Sequence, residues 1–325
     1  MVQYRIYVPE QTAFIAGPAA KHGRHKLLST RIAYNVTMDD RPVDTDEVVK
    51  IYEETLAARE PGWDYRGHRS LHFGLYDEDH DDPGSAAINT MRVLSAAAKI
   101  APSDRVLNIG CGAGEDSVWN AKARGASVIG VDIGERQLAA AQENAREHDV
   151  SDRTAFRVDD FHELATVDDD SVDVVWALEA LCHSPQPQQV LEQVQRVLVD
   201  DGRVALADLY VKRQPSKPER TRLRKANDGL GVRVGSVPAL RSALAATGFT
   251  DIEFRDRTAG VKPSLARRSQ FADVAGPVSK ALSAVGLGSE TRDDVIAGND
   301  QLHELVLSGA VGYFIVTARQ DTTPA

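Results

Sequence analysis

The chain is poor in the features that would commit it to several large classes. Two cysteines, Cys111 and Cys182, in 325 residues supply no disulfide framework and read as buried, inert thiols. No apolar run approaches the ~18–20 residues of a membrane span. The opening Met1-Val2-Gln3-Tyr4-Arg5 leads into no long apolar stretch of the kind a secretory signal needs, so a cytoplasmic protein without a membrane span is expected. Positive charge is scarce: 38 Lys and Arg face 48 Asp and Glu, a net charge of −10. That excludes the broad basic face that nucleic-acid binding requires. The histidine-bearing cluster Lys21-His22-Gly23-Arg24-His25-Lys26 lacks the convergent spacing of metal ligands, so no metal is expected, and residues 1–45 read as a solvated arm or a contact in a homodimer. With 42% hydrophobic residues the chain can still bury a substantial core.

What is present begins with Val106-Leu107-Asn108-Ile109-Gly110-Cys111-Gly112-Ala113-Gly114, an apolar run that stops in three glycines at alternate positions. The helix-compatible stretch Glu115 to Arg124 follows. Strand, tight turn and helix start together let backbone N–H groups approach a ligand closely. A dinucleotide fingerprint would place its third glycine at position 115, but position 115 is Glu, with the wrong sign for a pyrophosphate at a helix N-terminus. No Gly-Lys-Ser/Thr follows, which excludes a P-loop. A nucleoside cofactor without phosphate, such as S-adenosylmethionine, tolerates the glutamate.

A second strand, Ser127 to Val131, ends in Asp132, 22 residues after Gly110. In nucleoside-binding α/β folds an acid near this distance accepts from ribose hydroxyls, although an acid there could also cap the helix that starts at Glu135. Strands at Ala155–Val158, Ser171–Ala177, Gly202–Asp208 and Asp251–Arg255 follow. The third runs into Asp160 and Phe161, an acid for an adenine amino group and an aromatic for its ring. Strands alternating with helical patterns predict an α/β fold with a doubly wound, mostly parallel sheet, and the residues just named fall at carboxyl ends of strands, where such sheets bind ligands.

On these residues, together with Gly130-Val131-Asp132, Trp176-Ala177-Leu178-Glu179 and His183-Ser184-Pro185, the chain resembles the class I S-adenosylmethionine-dependent methyltransferases. The subgroup it looks most like acts on quinones, sterols, geranyl diphosphate and polyketides. The resemblance covers roughly residues 70–256 plus a last strand at Gly312–Val316. It implies a seven-stranded, Rossmann-like methyltransferase sheet with a core at 101–257, an N-terminal arm at 1–45, a helical lid at 46–100, a helical cap inserted at 258–309 and a final strand and tail at 310–325. It further implies that Gly110, Cys111, Gly112 and Gly114 line the methionine and ribose part of the cofactor. Asp132, with Ile133 and Gln137 nearby, would take the ribose. Asp160 and Phe161 would take adenine, and Leu178 the methionine end. The family often carries Asp or Glu where this chain has Asn108, whose carbonyl can still accept from the methionine ammonium but without the charge.

Methyl transfer from a sulfonium asks for alignment and exclusion of water, plus a base for an O- or C-nucleophile. His183 and Glu179 are the candidates, four residues apart and so on one face if that segment is helical. His72, in Ser70-Leu71-His72-Phe73-Gly74, resembles a segment that precedes the core in the same family, and with Tyr76 it is a lid candidate. Val48 to Arg59 reads as an amphipathic helix with Val48, Ile51, Tyr52, Thr55 and Leu56 along one side. Residues 211–225 carry seven Lys and Arg and read as a mobile lid or a clamp for an anion. Pro263 to Gly309 reads as an apolar helical cap over the pocket, which favours a lipophilic acceptor. The expected activity is C- or O-methylation of a small isoprenoid, quinone or polyketide-like acceptor. The competing readings are a cofactor-binding protein without transferase activity and an NAD-type dinucleotide-binding protein.

Overall fold

Strands buried on both faces alternate the face on which each side chain sits, and that rule sorts the central strands here. In the computed structural model, which describes residues 48–50, 52, 72–284 and 288–321, Val106 of β1 (Arg105–Ile109) and Val174 and Trp176 of β4 (Val172–Leu178) join one apolar cluster. Leu107, Ile109, Val175 and Ala177 join the other. The remaining strands are β2 (Ser127–Asp132), β3 (Thr154–Val158), β5 (Leu198–Val211), β6 (Phe249–Asp256) and β7 (Val311–Gln320). They form one seven-stranded sheet in the order β3-β2-β1-β4-β5-β7-β6. Strands β1 to β5 pair in parallel, and β7 runs antiparallel to both its neighbours.

The expected fold is the observed one. Helix α1 (Pro83–Ala98) is capped by Asp82, whose carboxylate accepts from the backbone of Gly84 and Ser85. Helices α2 (Glu115–Arg124) and α3 (Glu135–Glu147) begin at the residues anticipated from the sequence. The second face is covered by α4 (Pro187–Val197), through Val190, Leu191 and Val194, and by α6 (Val237–Ala246), through Leu240 and Leu244. Between them in sequence lies α5 (Lys217–Leu230), and α7 (Thr258–Ala284) and α8 (Glu290–Leu307) precede β7. The described residues belong to one unit spanning 34–325, and none of their helices is long and apolar enough to cross a membrane.

Two expectations need correction. Residues 211–225 do not form a mobile lid. Strand β5 runs through Val211, and α5 starts at a capping box in which Ser216 and Glu219 satisfy each other's backbone N–H groups. Of the segment's seven Lys and Arg, Lys212 bonds Asp256, Arg213 forks onto Glu219, and Arg222 donates to Gln301. The segment after β4 is not an α-helix. Glu179 sits at φ +52°, and only a short 3-10 turn, Leu181–His183, follows, so Glu179 and His183 share no helix face. The arm at 1–45 lies outside the described residues, as does all of the amphipathic helix after Tyr52.

Candidate functional site

Strand β1 has β2 on one side and β4 on the other, so the connections leave it in opposite directions and open a crevice at its carboxyl end. The turn after β1 is tied to β2: the N–H groups of Gly110 and Cys111 both donate to the Val131 carbonyl, at 2.9 and 3.0 Å. Gly112 has φ +51°, and a Cβ there would meet nothing nearer than Gln137 Oε1 at 3.9 Å. The turn therefore presents bare backbone to open space. That space is a cavity of about 430 Å³, within the usual range for small-molecule sites.

Of the residues picked from the sequence, Gly110, Cys111, Gly112, Asp132, Ile133, Gln137, Asp160, Phe161, Leu178, Glu179, His183 and His72 all line this cavity. Asn108 and Gly114 do not. Gly114 caps α2 at φ +75°, and a Cβ on it would strike Ala141 and press on the Phe156 ring at 3.0 Å. It is thus a packing glycine that lets α2 pass close to α3 and β3. Asn108 lies under the turn, 1% exposed, donating to Ser117 Oγ at 2.8 Å. Tyr76 does not reach the cavity either; its N–H donates to the Gly260 carbonyl. No described residue of 258–309 lines the cavity, so the two helices there do not roof it. They pack instead on α5 and on the segment before α1, where Ser264 Oγ accepts from Gly74 N–H and the Arg268 guanidinium stacks 4.0 Å from the Phe73 ring.

Asp132 accepts from Gly112 N–H at 2.9 Å with one oxygen and from Gly134 N–H at 2.8 Å with the other. Burial raises its pKa, and the Gly134 and Gly112 amides oppose the shift. At the end of β3, Asp160 accepts from the backbone and the Nδ1–H of His162, and His162 Nε2 meets Ser184 Oγ at 2.8 Å. His162 thus links the loops after β3 and β4. Gln137 is 4% exposed, and both of its amide heteroatoms are buried without a partner. Such a pair costs on the order of 1–3 kcal/mol per group unless something else satisfies it.

At the opposite wall, His183 Nδ1 lies 2.8 Å from the Gly231 carbonyl and Nε2 lies 2.7 Å from the Tyr52 hydroxyl. A carbonyl only accepts, so Nδ1 carries the proton and Nε2 is the basic atom. Burial lowers the His183 pKa and takes that of His72 down to about 4, so both rings are neutral at neutral pH. Glu179 Oε1 accepts from Phe73 N–H at 2.8 Å and from the Tyr313 hydroxyl at 2.9 Å, and burial pushes this carboxyl up to about 8. The two cysteines behave as expected: burial raises both thiols well above their ordinary range.

The sequence reading missed Glu115, Asp116, Arg136, His162, Glu163, Gln186 and Gln189 as lining residues. His162 and Glu163 follow Asp160 directly and could have been found by extending the strand-end rule. The others depend on how α2, α3 and α4 present their first turns. Among the described residues six carboxyl groups line the cavity, against one arginine, Arg136. The lining suits a cationic ligand and opposes a diphosphate.

A family model described as a methyltransferase domain matches residues 100–231. The 27-O-demethylrifamycin SV methyltransferase of Amycolatopsis mediterranei (strain S699) is 32% identical over 203 residues, which is 62% of this chain and 74% of that protein. Methyltransferase GfsG of Streptomyces halstedii is 34% identical over 145 residues, 44% of this chain, and the chain spans about half of its length, 52%. Among solved structures, the geranyl diphosphate C-methyltransferase from Streptomyces coelicolor A3(2), in complex with Mg2+, geranyl diphosphate and S-adenosyl-L-homocysteine, matches with a TM-score of 0.64 over 83% of this chain and 98% of that one. At 19% identity the likeness speaks for the fold.

Proposed function

The chain belongs to the class I S-adenosylmethionine-dependent methyltransferases that act on small molecules, and from that premise we propose that it methylates a hydroxyl of a small, largely apolar acceptor, with S-adenosylmethionine as the donor. The observation that carries the reading is the acidic lining of the cavity beneath a turn of bare backbone. It accommodates a nucleoside with positive charge and no phosphate, and the unpartnered amide of Gln137 supports a polar ligand beside it. Asp132 would hold the ribose hydroxyls, Asp160 the adenine amino group beside Phe161, and the backbone at Gly110–Gly112 and Leu178 the methionine part.

When bound, S-adenosylmethionine supplies a methyl group on a positively charged sulfur, a leaving group that needs no activation. The protein's work is to align and to take away a proton. His183 is neutral, and its Nε2 is fixed as the acceptor by the Nδ1–H bond to Gly231. The Tyr52 hydroxyl donates to Nε2, so an acceptor hydroxyl that displaced it there would hand its proton to Nε2 when its oxygen is methylated. Glu179 serves a different end. It is protonated at neutral pH and occupied by Phe73 and Tyr313, so it acts as a clasp holding the segment that carries His72 against the sheet. The relative that modifies a rifamycin supports a polyketide-like acceptor, and Val48, Val49, Phe161 and Pro185 give the cavity its apolar wall.

Isothermal titration of the protein with S-adenosylmethionine and with NAD tests the donor: heat with the first and none with the second is expected, and tight NAD binding alone would overturn the assignment. Incubation with methyl-labelled donor and a cell extract then tests transfer. Label appearing in an apolar small-molecule fraction supports the reading, and cofactor binding without any transfer leaves only a cofactor-binding protein.

A further inference from the structure

Helix α2 begins with two acids, Glu115 and Asp116, and the second is placed in an unusual way. Asp116 is 9% exposed, lines the cavity, and accepts from Trp176 Nε1 at 2.7 Å through one carboxylate oxygen. Trp176 is fully buried on β4 and stands directly across from Asn108 on β1. Asn108 in turn donates to Ser117 Oγ, which pins the first turn of α2 to the strand and fixes the direction in which Asp116 points. Among the described residues, the charge that acts on this carboxyl is Glu115, of the same sign. Burial without a counter-charge is costly for a carboxylate, and the group is pushed up to about 6. The Trp176 indole, the backbone at the helix N-terminus and the Asn108 amide offset only part of that cost. What remains is a carboxylate built to meet a positive charge that arrives from the cavity.

We propose that Asp116 binds the α-ammonium group of the methionine part of S-adenosylmethionine, supplying from the helix the carboxylate that the strand lacks at Asn108. The inference rests on the reading of this site as the S-adenosylmethionine site. Of the two cations on that molecule, the sulfonium has no N–H to donate, whereas the ammonium is a hydrogen-bond donor matched to a carboxylate oxygen. The placement fits, because Asp116 follows the glycine turn in the first turn of α2, Asp132 accepts from Gly112 N–H within it, and both carboxyls line the cavity. Titratable groups that share the cavity are Glu115 on the same helix, Cys111 and Asp132 from the turn and β2, Arg136 on α3, Asp160, His162 and Glu163 after β3, and Tyr52, His72, Glu179 and His183. The Cys111 thiol already feels both Asp132 and Asp116.

The test is calorimetric binding of three ligands to the wild type and to Asp116→Asn. S-adenosylmethionine carries both cations, S-adenosylhomocysteine keeps only the ammonium, and 5′-methylthioadenosine has neither. The variant should lose roughly 10- to 100-fold in affinity for the first two, the span expected for one charge-assisted hydrogen bond, and change by less than threefold for the third. Loss for S-adenosylmethionine alone would put Asp116 at the sulfonium and overturn the proposal. Equal loss for all three would show a structural role and overturn it too. Wild-type protein that binds 5′-methylthioadenosine but not S-adenosylmethionine would instead remove the donor assignment itself. Should Asp116→Asn fail to fold, proton release decides on the wild type. At pH 6, titrations in two buffers of different ionisation heat should show more protons released with S-adenosylhomocysteine than with 5′-methylthioadenosine, and equal release overturns the proposal.

Discussion

A buried histidine can act as a base in only one way if one of its nitrogens is already committed. His183 meets that condition: the Gly231 carbonyl holds Nδ1–H, and burial lowers the pKa of the ring and so favours its neutral form. His183→Ala should therefore lower kcat by roughly 10²–10⁴-fold while the dissociation constant for S-adenosylmethionine stays within about threefold, because the ring faces Tyr52 rather than the glycine turn. Single-turnover rates with labelled donor, set beside binding isotherms, separate the two quantities; normal turnover would move the base elsewhere. Residues that end strands were legible in advance. Asp132 and Asp160 stand at the tips of β2 and β3, where strand pattern and ligand geometry coincide. Gln137 was named from the sequence but Asp116 was not, because a residue in a first helical turn faces the ligand or the core according to how the helix docks, and no local pattern encodes that. Gly114 was misread for a related reason: its neighbours in space, Ala141 and Phe156, are far away in the chain.

At the scale of the element, the central strands could be read because they are apolar on both faces, and β1 to β4 were found to within a residue or two at each end. Strand β5 was cut short at Gly202, since Asp200-Asp201-Gly202 looks like a turn. Asp201 does adopt φ +64°, yet Leu198 still pairs with Val172 across the irregularity. The stretch 258–309 was legible as helical, but where it docks was not. Its position depends on small residues far apart in sequence: Gly229 of α5 lies against Gly298 and the Asp294 carbonyl of α8. A methyl group on Gly229 would collide with that carbonyl, which is backbone and cannot swing aside. Gly229→Ala should cost about 1–3 kcal/mol, read as a lowered urea midpoint with an unchanged m-value. Gly235→Ala is the control. Its added methyl would meet only the Tyr210 ring, at 3.8 Å, and the midpoint should scarcely move.

For the whole molecule, the buried titratable groups pull stability in opposite directions along the pH axis. His72, lowered to about 4, and His183, lowered by burial, are neutral in the fold. Their contribution is complete above the unfolded histidine value of about 6.5 and is lost as pH falls through the folded values. Asp116 and Asp208, raised to about 6, and Glu179, raised to about 8, behave oppositely. They contribute fully below the unfolded carboxylate range and lose that contribution as pH rises through their folded values. The lowered acids such as Asp77 and Glu219 are exposed pairs, contribute little, and titrate below this window. Between about pH 4 and 6.5 the two sets oppose each other. Above about 6.5 the histidines have finished and Glu179 continues to lose ground up to about 8. The melting temperature should accordingly fall by a few degrees from about pH 6.5 towards pH 8, a size set by roughly 2–4 °C per kcal/mol in a large domain. Glu179→Gln keeps an acceptor for Phe73 N–H and the Tyr313 hydroxyl but has no charge to expose. In scanning calorimetry across pH 5 to 8.5 it should lack the alkaline decline and melt above the wild type at pH 8. If the two curves stay parallel, Glu179 is ionised in the fold, and the proton that makes it a clasp rather than a base is not there.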